Sequence, residues 1–204
     1  METPPHEAQT IMVQHKTGSK GERRRAEILA TAREVLIRKG YDFLVMRDIA
    51  ARANMTLGNL QYYFPTRESL VEAIVRAEAQ TDLEDLRAFR SDEGDEILQL
   101  KRFVKYIVRK WRGDSGKVLA TMSFLTLHLA PFRRIYTEVY NAFYEELASL
   151  LARIDPGHKR ATYLRRARLI TALIDGSSMQ VQRGSSPDFL NDVATLALQI
   201  AGGD

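Results

Sequence analysis

Apolar residues recur every three or four positions along most of the chain, which is the spacing of one face of an α-helix. The first such stretch begins at the capping-box sequence Ser19-Lys-Gly-Glu22 and ends at Gly40. Later stretches, separated by breaks rich in Gly, Pro and Asp, predict helices over 67–89, 97–111, 118–129, 131–153, 159–183 and 188–200. No strand signal occurs, so the pattern predicts an all-α fold.

Two short helices joined by a tight turn are predicted between residues 47 and 64. The first, 47–53, has a small apolar face and is followed by Asn54, a residue that tolerates the left-handed conformation after a helix end. Thr56 is a suitable N-cap for the second helix. Pro65 ends that helix, because the residue before a proline avoids the helical region.

The second of these helices carries an unusual outer face. Leu60 and Phe64 are predicted to point inward, and the remaining side chains are amides, phenols and small groups rather than Lys and Glu. Amides and phenols can pair with base edges or phosphate oxygens, and a glycine allows a backbone to approach DNA closely. This pattern is typical of a helix-turn-helix whose second helix enters the major groove. An ordinary helical hairpin with a tyrosine-rich surface is the competing interpretation, and the co-occurrence of turn, cap, stop and polar face favours DNA binding.

At these residues the sequence resembles the TetR family of transcription regulators over about residues 20 to 75. The matching positions are Gly40-Tyr41, Ile49-Ala50, Ala53, Thr56, Leu60, Tyr62-Tyr63-Phe64 and Arg67-Glu68-Ser69-Leu70. Three positions depart from the family pattern. Asn54 stands where Gly is usual, Val45 where a Ser or Thr usually caps the second helix, and Gln61 where Tyr is common. We therefore expect one phosphate contact to be missing at Val45, and a change at Gln61 in which bases or phosphates are read.

The predicted DNA contacts combine this polar face with nearby cations. Positive charge at the start of the first helix opposes the helix dipole, so helix stability does not explain it, and phosphate contact is the favoured role. The resemblance implies a similar role for Arg67. The candidate DNA-binding residues are Arg23, Arg24, Arg47, Thr56, Leu57, Gly58, Asn59, Gln61, Tyr62, Tyr63 and Arg67.

The pattern divides the chain into three parts. Residues 1–18 are polar, with two prolines, and are interpreted as a flexible arm. Residues 19–66 form the predicted helix-turn-helix DNA-binding domain, with Tyr41, Phe43 and Leu44 expected to fill its core. Residues 67–204 form a helical domain for effector binding and dimerisation, in which the long helix from Arg67 is the lever that joins the two parts.

The family resemblance implies a small-molecule pocket in the C-terminal helices. The candidate lining residues are Phe103, Tyr106, Trp111, Met122, Phe124, His128, Tyr136 and Tyr140. Each one taken singly is more often an ordinary core residue, and a lone His such as His128 is more often structural than a ligand contact. The stretch 118–129 is apolar nearly all round and is expected to be buried on several sides. Together these residues favour a cavity for an apolar or aromatic ligand with one or two polar handles.

Excess apolar surface on the last two helices predicts a homodimer. The candidate interface residues are Ala172, Gly176, Met179, Phe189, Val193, Leu196 and Ile200. Because one recognition helix reads few base pairs, a two-fold dimer with half-sites about 34–36 Å apart, or a multiple of that, predicts a roughly palindromic operator in double-stranded DNA. The family pattern adds the expectation of a repressor released by a ligand.

Composition narrows the alternatives. A net charge of +4 over 204 residues is compatible with nucleic acid without demanding it, and the absence of Cys excludes thiolate metal sites and disulfides. No apolar run approaches the roughly 20 residues of a membrane span. We therefore expect a cytoplasmic protein with no membrane partner, no metal and no cofactor.

Two other classes of protein remain in view. An all-α enzyme is disfavoured, because the four His residues lack metal-ligand spacing and there is no phosphate-binding Gly-rich loop or nucleophile elbow. A non-specific architectural DNA-binding protein would need dense positive charge and wedge residues. The modest charge and the Asn/Gln/Tyr face favour a sequence-specific regulator instead.

Overall fold

The computed structural model describes residues 19–91, 94–181 and 187–202, and these fold entirely as helices and connecting turns. The predicted arm, the centre of the acidic loop and the end of the helix predicted to reach residue 183 lie outside these ranges. The helices are α1 (Lys20–Lys39), α2 (Met46–Arg52), α3 (Leu57–Tyr63), α4 (Arg67–Ser91), α5 (Glu96–Trp111), α6 (Asp114–His128), α7 (Ala130–Ile154), α8 (Arg160–Val181) and α9 (Pro187–Gly202), with a 3₁₀ turn at Tyr41–Phe43. The all-α prediction is confirmed.

Helix α1 begins at the predicted capping box. The Ser19 amide donates to Glu22 Oε2 at 2.6 Å, and the Glu22 amide donates to Ser19 Oγ at 3.2 Å. The helix ends at Gly40, whose φ of 89° is favourable for glycine and strained for residues that carry a Cβ atom. Its buried face meets α2 and α3 in a small core formed by Ile28, Ala32, Val35, Leu36, Leu44, Ile49, Ala50, Leu60 and Phe64.

The connector between α1 and α2 fills this core less completely than predicted. Leu44 is fully buried and Tyr41 is partly buried, but Phe43 is 62% exposed, so its assignment to the core was wrong. The 3₁₀ turn explains the difference, because residues two apart on such a turn point to different sides. Phe43 lies beside Val35 and Val45 at the surface instead.

Helix α4 runs from the DNA-binding unit into the middle of the C-terminal helices. It packs against α1 on one side and against α5, α6 and α7 on the others. Leu70, Ile74, Leu83 and Leu86 are buried, whereas Ala77 faces outward. Arg33 of α1 pairs with the buried Glu78, so α1 and α4 are joined by charge as well as by apolar contact.

The C-terminal helices form one continuous core with the DNA-binding unit. Helix α7 begins with Pro131 in its first turn, as predicted, and packs most extensively on α8. The prediction that residues 118–129 are buried on several sides was wrong. Helix α6 begins after Gly113, its N-cap, and Phe124 (60% exposed) and Leu127 (76% exposed) lie on its outer face. Neighbouring helices cover only the side that carries Val118, Met122 and Leu125.

Candidate nucleic-acid interface and interior cavity

The turn between α2 and α3 has the geometry that the sequence predicted. Asn54 adopts φ 51°, the one left-handed non-glycine residue in the described ranges. The Met55 amide donates to Ala50 O at 3.0 Å, which closes the end of α2. Thr56 then caps α3 by accepting a hydrogen bond from the Asn59 amide at 3.2 Å. This pair of caps sets the angle between the two short helices.

Helix α3 is anchored on one side and exposed on the other. Leu60 and Phe64 are buried, while Gly58, Asn59 and Gln61 are exposed and Tyr62 is 84% exposed. A Cβ added to Gly58 would meet nothing within 4 Å, so the fold itself does not require glycine there. Tyr63 is partly buried, and its ring packs edge-on against that of Tyr62 at 5.3 Å. The exposed face of α3 therefore combines amide and phenol side chains with backbone that is uncovered at Gly58.

Of the predicted cationic contacts, Arg24 is the one that the structure places differently. Its guanidinium donates to the backbone oxygens of Ala53 at 2.6 Å and Asn54 at 3.1 Å, and also to Glu27 Oε2 at 2.7 Å. Arg24 therefore links α1 to the turn before α3, a structural role that its phosphate assignment did not include. Arg23 and Arg47 lie on the exposed surface.

Substitution of Arg24 tests this link. Arg24→Ala is expected to lower the free energy of unfolding by about 1–2 kcal/mol, since hydrogen bonds that involve a charged group contribute about this much. It should also accelerate amide hydrogen exchange at Met55, next to the released turn. Lys20→Ala, on the exposed start of the same helix, is the control. Equal effects of the two changes on Met55 exchange would contradict the role.

The other cation predicted from the family pattern, Arg67, sits where the DNA-binding unit meets α4. Its guanidinium lies 4.1 Å from the centre of the Tyr41 ring and pairs with Glu68 at 3.9 Å. Arg25 lies in the same way over Phe64, at 4.9 Å. The expectation that Val45 provides no cap is met, since the start of α2 has no side-chain cap hydrogen bond.

The predicted ligand-contacting residues do not converge on one place. Phe103, Trp111, Met122 and Tyr140 are buried and Tyr136 is partly buried, but Tyr106, Phe124 and His128 face outward. Phe124 and His128 pack on each other at 4.7 Å between ring centres on the outer face of α6. The expectation of a His in an apolar interior is therefore corrected, because α6 turns that side of its surface away from the core.

A small cavity does lie between α4, α5, α6, α7 and α8. Its water-accessible volume is about 20 Å³, roughly the space of one water molecule. The wall is formed by Ala79, Asp82, Trp111, Leu119, Val139, Tyr140, Phe143 and Thr171. Only Trp111 and Tyr140 were predicted. Asp82 could have been found as an acidic residue inside the buried stripe of α4, whereas the others are indistinguishable in sequence from ordinary core residues.

Asp82 is the charged group in this wall, and only 3% of its surface is exposed. Its Oδ2 accepts a hydrogen bond from Trp111 Nε1 at 3.0 Å, and its Oδ1 lies 2.7 Å from Lys110 Nζ. Lys110 also pairs with Asp85 at 2.5 Å. Burial raises the pKa of Asp82, and the neighbouring Lys110 opposes that rise.

A second acid with a raised pKa, the partly buried Asp175, is bonded to a residue of the cavity wall. The Tyr140 hydroxyl donates to Asp175 Oδ2 at 3.0 Å, and the Tyr136 ring stacks on Tyr140 at 4.2 Å. Burial raises the pKa of Asp175 to about 6, and the Tyr140 hydrogen bond only partly offsets this. This hydrogen bond links α7 to α8, the two helices that pack most extensively on each other.

This raised pKa predicts a pH dependence of stability. The folded protein holds a proton on Asp175 up to about pH 6, whereas an ordinary aspartate loses it near 3.8. Folded protein binds more protons than unfolded protein in that window, so stability falls as pH rises through it. Asp175→Asn keeps an acceptor for Tyr140 and should remove this fall, a difference of at most about 3 kcal/mol. Parallel unfolding curves for both proteins between these pH values would contradict the prediction.

A wider cleft of about 670 Å³ lies between α1, the end of α3, α4 and α7. Its charged side chains are largely committed to one another. Arg76 donates to Glu72 at 2.9 Å and to Glu138 at 2.5 Å, which ties α4 to α7 across the cleft floor. These ion pairs therefore stabilise the packing of α4 on α7.

The outer faces of α8 and α9 carry the predicted interface residues. Along α8 the exposed residues Leu169, Ala172, Gly176 and Met179 recur at heptad spacing. A Cβ on Gly176 would meet nothing within 4 Å, so within one chain no helix approaches it closely. On α9, Leu196 is 45% exposed, Phe189 and Ile200 are partly buried, and Val193 is buried in the core.

Within the described ranges no helix is long and apolar enough to cross a membrane, and no three or more His, Cys, Asp or Glu side chains are grouped so that they could hold a metal ion.

A three-helix unit with a capped left-handed turn and an exposed polar second helix defines a helix-turn-helix DNA-binding protein. Residues 28–74 match the model of the tetR family of bacterial regulatory proteins. The N-terminal part of the chain is therefore similar to the DNA-binding domain of this family, which supports a DNA-binding transcriptional regulator. No curated protein matches the sequence significantly.

Solved structures share the fold over most of the chain. A putative transcriptional regulator from Pseudomonas aeruginosa PAO1 is 15% identical, with a TM-score of 0.76 over 90% of this chain and 91% of that one. Salmonella enterica GusR is 19% identical, with a TM-score of 0.75 over 91% and 98%. A putative regulator from Saccharomonospora viridis, solved in complex with choline, is 19% identical, with a TM-score of 0.68 over 86% and 94%. Because these sequence identities are low, the similarity to the three proteins shows a shared fold and no more.

Proposed function

We propose that the protein is a homodimeric repressor that reads a palindromic operator with α3 and is released by a small organic ligand. The observation that carries this proposal is the outer face of α3. Gly58, Asn59, Gln61 and Tyr62 are exposed together, and the fold has no use for a glycine at position 58. Amide groups can form paired hydrogen bonds with base edges, and a bare backbone can approach the groove floor.

The outer faces of α8 and α9 support the dimer. The strip of apolar and small residues at heptad spacing on α8, together with the exposed Leu196 on α9, offers a surface on which two helix pairs could pack. A two-fold arrangement would place two copies of α3 on the same side of the dimer. The operator should then consist of two inverted half-sites about 34–36 Å apart, or a multiple of that.

The position of α4 supports a route from ligand to DNA. Ala79 and Asp82 of α4 line the interior cavity, and Arg67 in its first turn rests on Tyr41 of the DNA-binding unit. Because the cavity holds about one water molecule, a ligand can enter only if the helices around it move apart. A ligand that fits only the expanded state would shift the population toward it, with a coupling of typically 1–3 kcal/mol. The choline complex of the Saccharomonospora viridis protein supports the idea that this fold can hold a small molecule.

Selection from a random DNA pool tests the proposal. Purified full-length protein should enrich an approximate palindrome that survives competition with random DNA. Enrichment of no motif, with salt-sensitive binding to any duplex, would favour an architectural DNA-binding protein instead. Retention of no DNA at all would contradict the proposed function.

Substitutions on α3 separate base reading from phosphate contact. Asn59→Ala and Gln61→Ala are expected to alter the selected half-site, with discrimination at the affected base pair reduced by about 1–3 kcal/mol. Tyr63→Phe, which removes only a hydroxyl, should weaken binding to all duplexes alike. Selection repeated with each variant measures both effects. An unchanged half-site for both Asn59→Ala and Gln61→Ala would show that α3 does not read these bases.

A further inference from the structure

The polar groups around the interior cavity are strongly biased toward accepting hydrogen bonds. Trp111 Nε1 already donates to Asp82 at 3.0 Å, the Tyr140 hydroxyl donates to Asp175 at 3.0 Å, and Thr171 Oγ1 donates to Ala167 O at 2.8 Å. These are the donors on the side chains of the wall, since its other members are apolar apart from Asp82. A ligand in this cavity must therefore bring its own donors.

The charged acceptor in the wall shares its counter-ion. Asp82 Oδ1 is buried and lies 2.7 Å from Lys110 Nζ, its ion-pair partner. Lys110 also pairs with Asp85, so these two carboxylates have one ammonium between them. A buried carboxylate whose counter-ion is shared is incompletely neutralised, and a second cation would stabilise it.

The rest of the wall suits the body of an organic cation. Trp111, Tyr140 and Phe143 provide aromatic rings, and Leu119 and Val139 provide aliphatic surface. Aromatic faces attract ammonium groups, and this attraction strengthens when water is excluded. An anionic ligand would be repelled by the Asp82 carboxylate and would find no free hydrogen-bond donor among the side chains of the wall. A purely apolar ligand would make no favourable contact with Asp82 Oδ1.

We propose that the cavity binds an amine, a small organic ammonium ion with an aromatic or aliphatic body, whose nitrogen donates to Asp82 Oδ1. This inference rests on the proposed release by ligand and names the chemical class of that ligand. Entry of the amine separates α4 from α7, because the closed cavity has no room for it. The positive charge of the ligand therefore acts on Asp82 of α4, the helix that connects the cavity to the DNA-binding unit.

The test compares three probes of nearly the same shape: phenethylamine, 2-phenylethanol and phenylacetate. Trp111 is the only tryptophan of the chain and lies in the cavity wall, so its fluorescence reports binding directly. Isothermal titration calorimetry with the full-length protein gives the dissociation constants. We expect phenethylamine to bind at least about tenfold more tightly than 2-phenylethanol, as one charge-assisted hydrogen bond implies, and phenylacetate to bind more weakly still.

Two variants locate the effect. Asp82→Asn keeps the shape and the acceptor for Trp111 but removes the charge, and it should erase most of the preference for the amine over the alcohol. Glu84→Gln, on the exposed face of the same helix, removes the same charge outside the cavity and should keep the preference. If Asp82→Asn does not fold, Ala79→Leu, which fills the cavity from α4, should abolish amine binding.

The proposal is overturned if the alcohol or the acid binds wild-type protein as tightly as the amine, or if no probe binds. It is equally overturned if Asp82→Asn retains the preference or if Ala79→Leu retains amine binding. DNA selection with the same protein keeps the two proposals apart. An enriched palindrome without amine selectivity would support the proposed DNA-binding regulator and contradict the amine site. Absence of any DNA binding would contradict the proposed regulator.

Discussion

Gly58→Glu is expected to abolish operator binding while leaving the protein folded. A side chain at this position would meet no atom of the protein within 4 Å, and glutamate has a higher helix propensity than glycine. In the proposed complex the same side chain would push a negative charge against the DNA at the point of closest approach. Like charges in contact cost several kcal/mol, so affinity should fall by about a hundredfold or more.

A graded series makes this result interpretable. Gly58→Ala adds one methyl group and should weaken binding much less than Gly58→Glu. Ala120→Glu adds the same charge on an exposed position of α6, far from α3, and controls for the change in net charge. Circular dichroism and thermal unfolding should show all three variants folded. Unimpaired DNA binding by Gly58→Glu would mean that α3 does not face the groove.

Leu196→Glu is expected to convert the protein to a monomer. Leu196 lies on the outer face of α9 and is 45% exposed in the single chain. In a two-fold interface the substitution enters twice, and each uncompensated buried charge costs about 3–5 kcal/mol. The dimer dissociation constant should therefore rise by more than about a hundredfold. Operator affinity should fall with it, because each monomer reads only one half-site.

Sedimentation velocity across a range of concentrations measures this effect. Thr195→Glu is the matched control, since Thr195 is exposed one residue earlier and lies about 100° away around the helix. It should leave the dimer intact. Gly176→Glu, on the other helix of the proposed interface, should act like Leu196→Glu. An unchanged sedimentation mass for both Leu196→Glu and Gly176→Glu would exclude this face from the interface.

The DNA-binding unit was predicted closely because its signals are local. The capping box at Ser19, the left-handed residue Asn54 and the N-cap Thr56 each act through hydrogen bonds to backbone groups within a few residues. Such bonds depend on short stretches of sequence, so the residue types alone are sufficient to place them. The missing cap at Val45 was predictable for the same reason.

The unit also shows where local reasoning fails. Arg24 was interpreted as a phosphate contact because a positive charge at a helix start opposes the dipole. The structure brings it against the backbone oxygens of Ala53 and Asn54, about thirty residues away. Phe43 was placed in the core because it is apolar, although the turn directs it outward. The link made by Arg24 and the outward position of Phe43 both depend on where a side chain points in the folded chain, and the phosphate contact of Arg24 stays a prediction.

The amino-acid sequence by itself determined that this chain is all-α, where most of its helices begin and end, and that its second short helix is capped, stopped and polar on its outer side. Helical periodicity and capping are short-range properties, so no knowledge of packing was needed. Only the tertiary structure decided that Asp82 and Tyr140 share a cavity wall and that Phe124 and His128 face outward. Five different helices build that wall, and their relative rotation depends on the packing of the whole core.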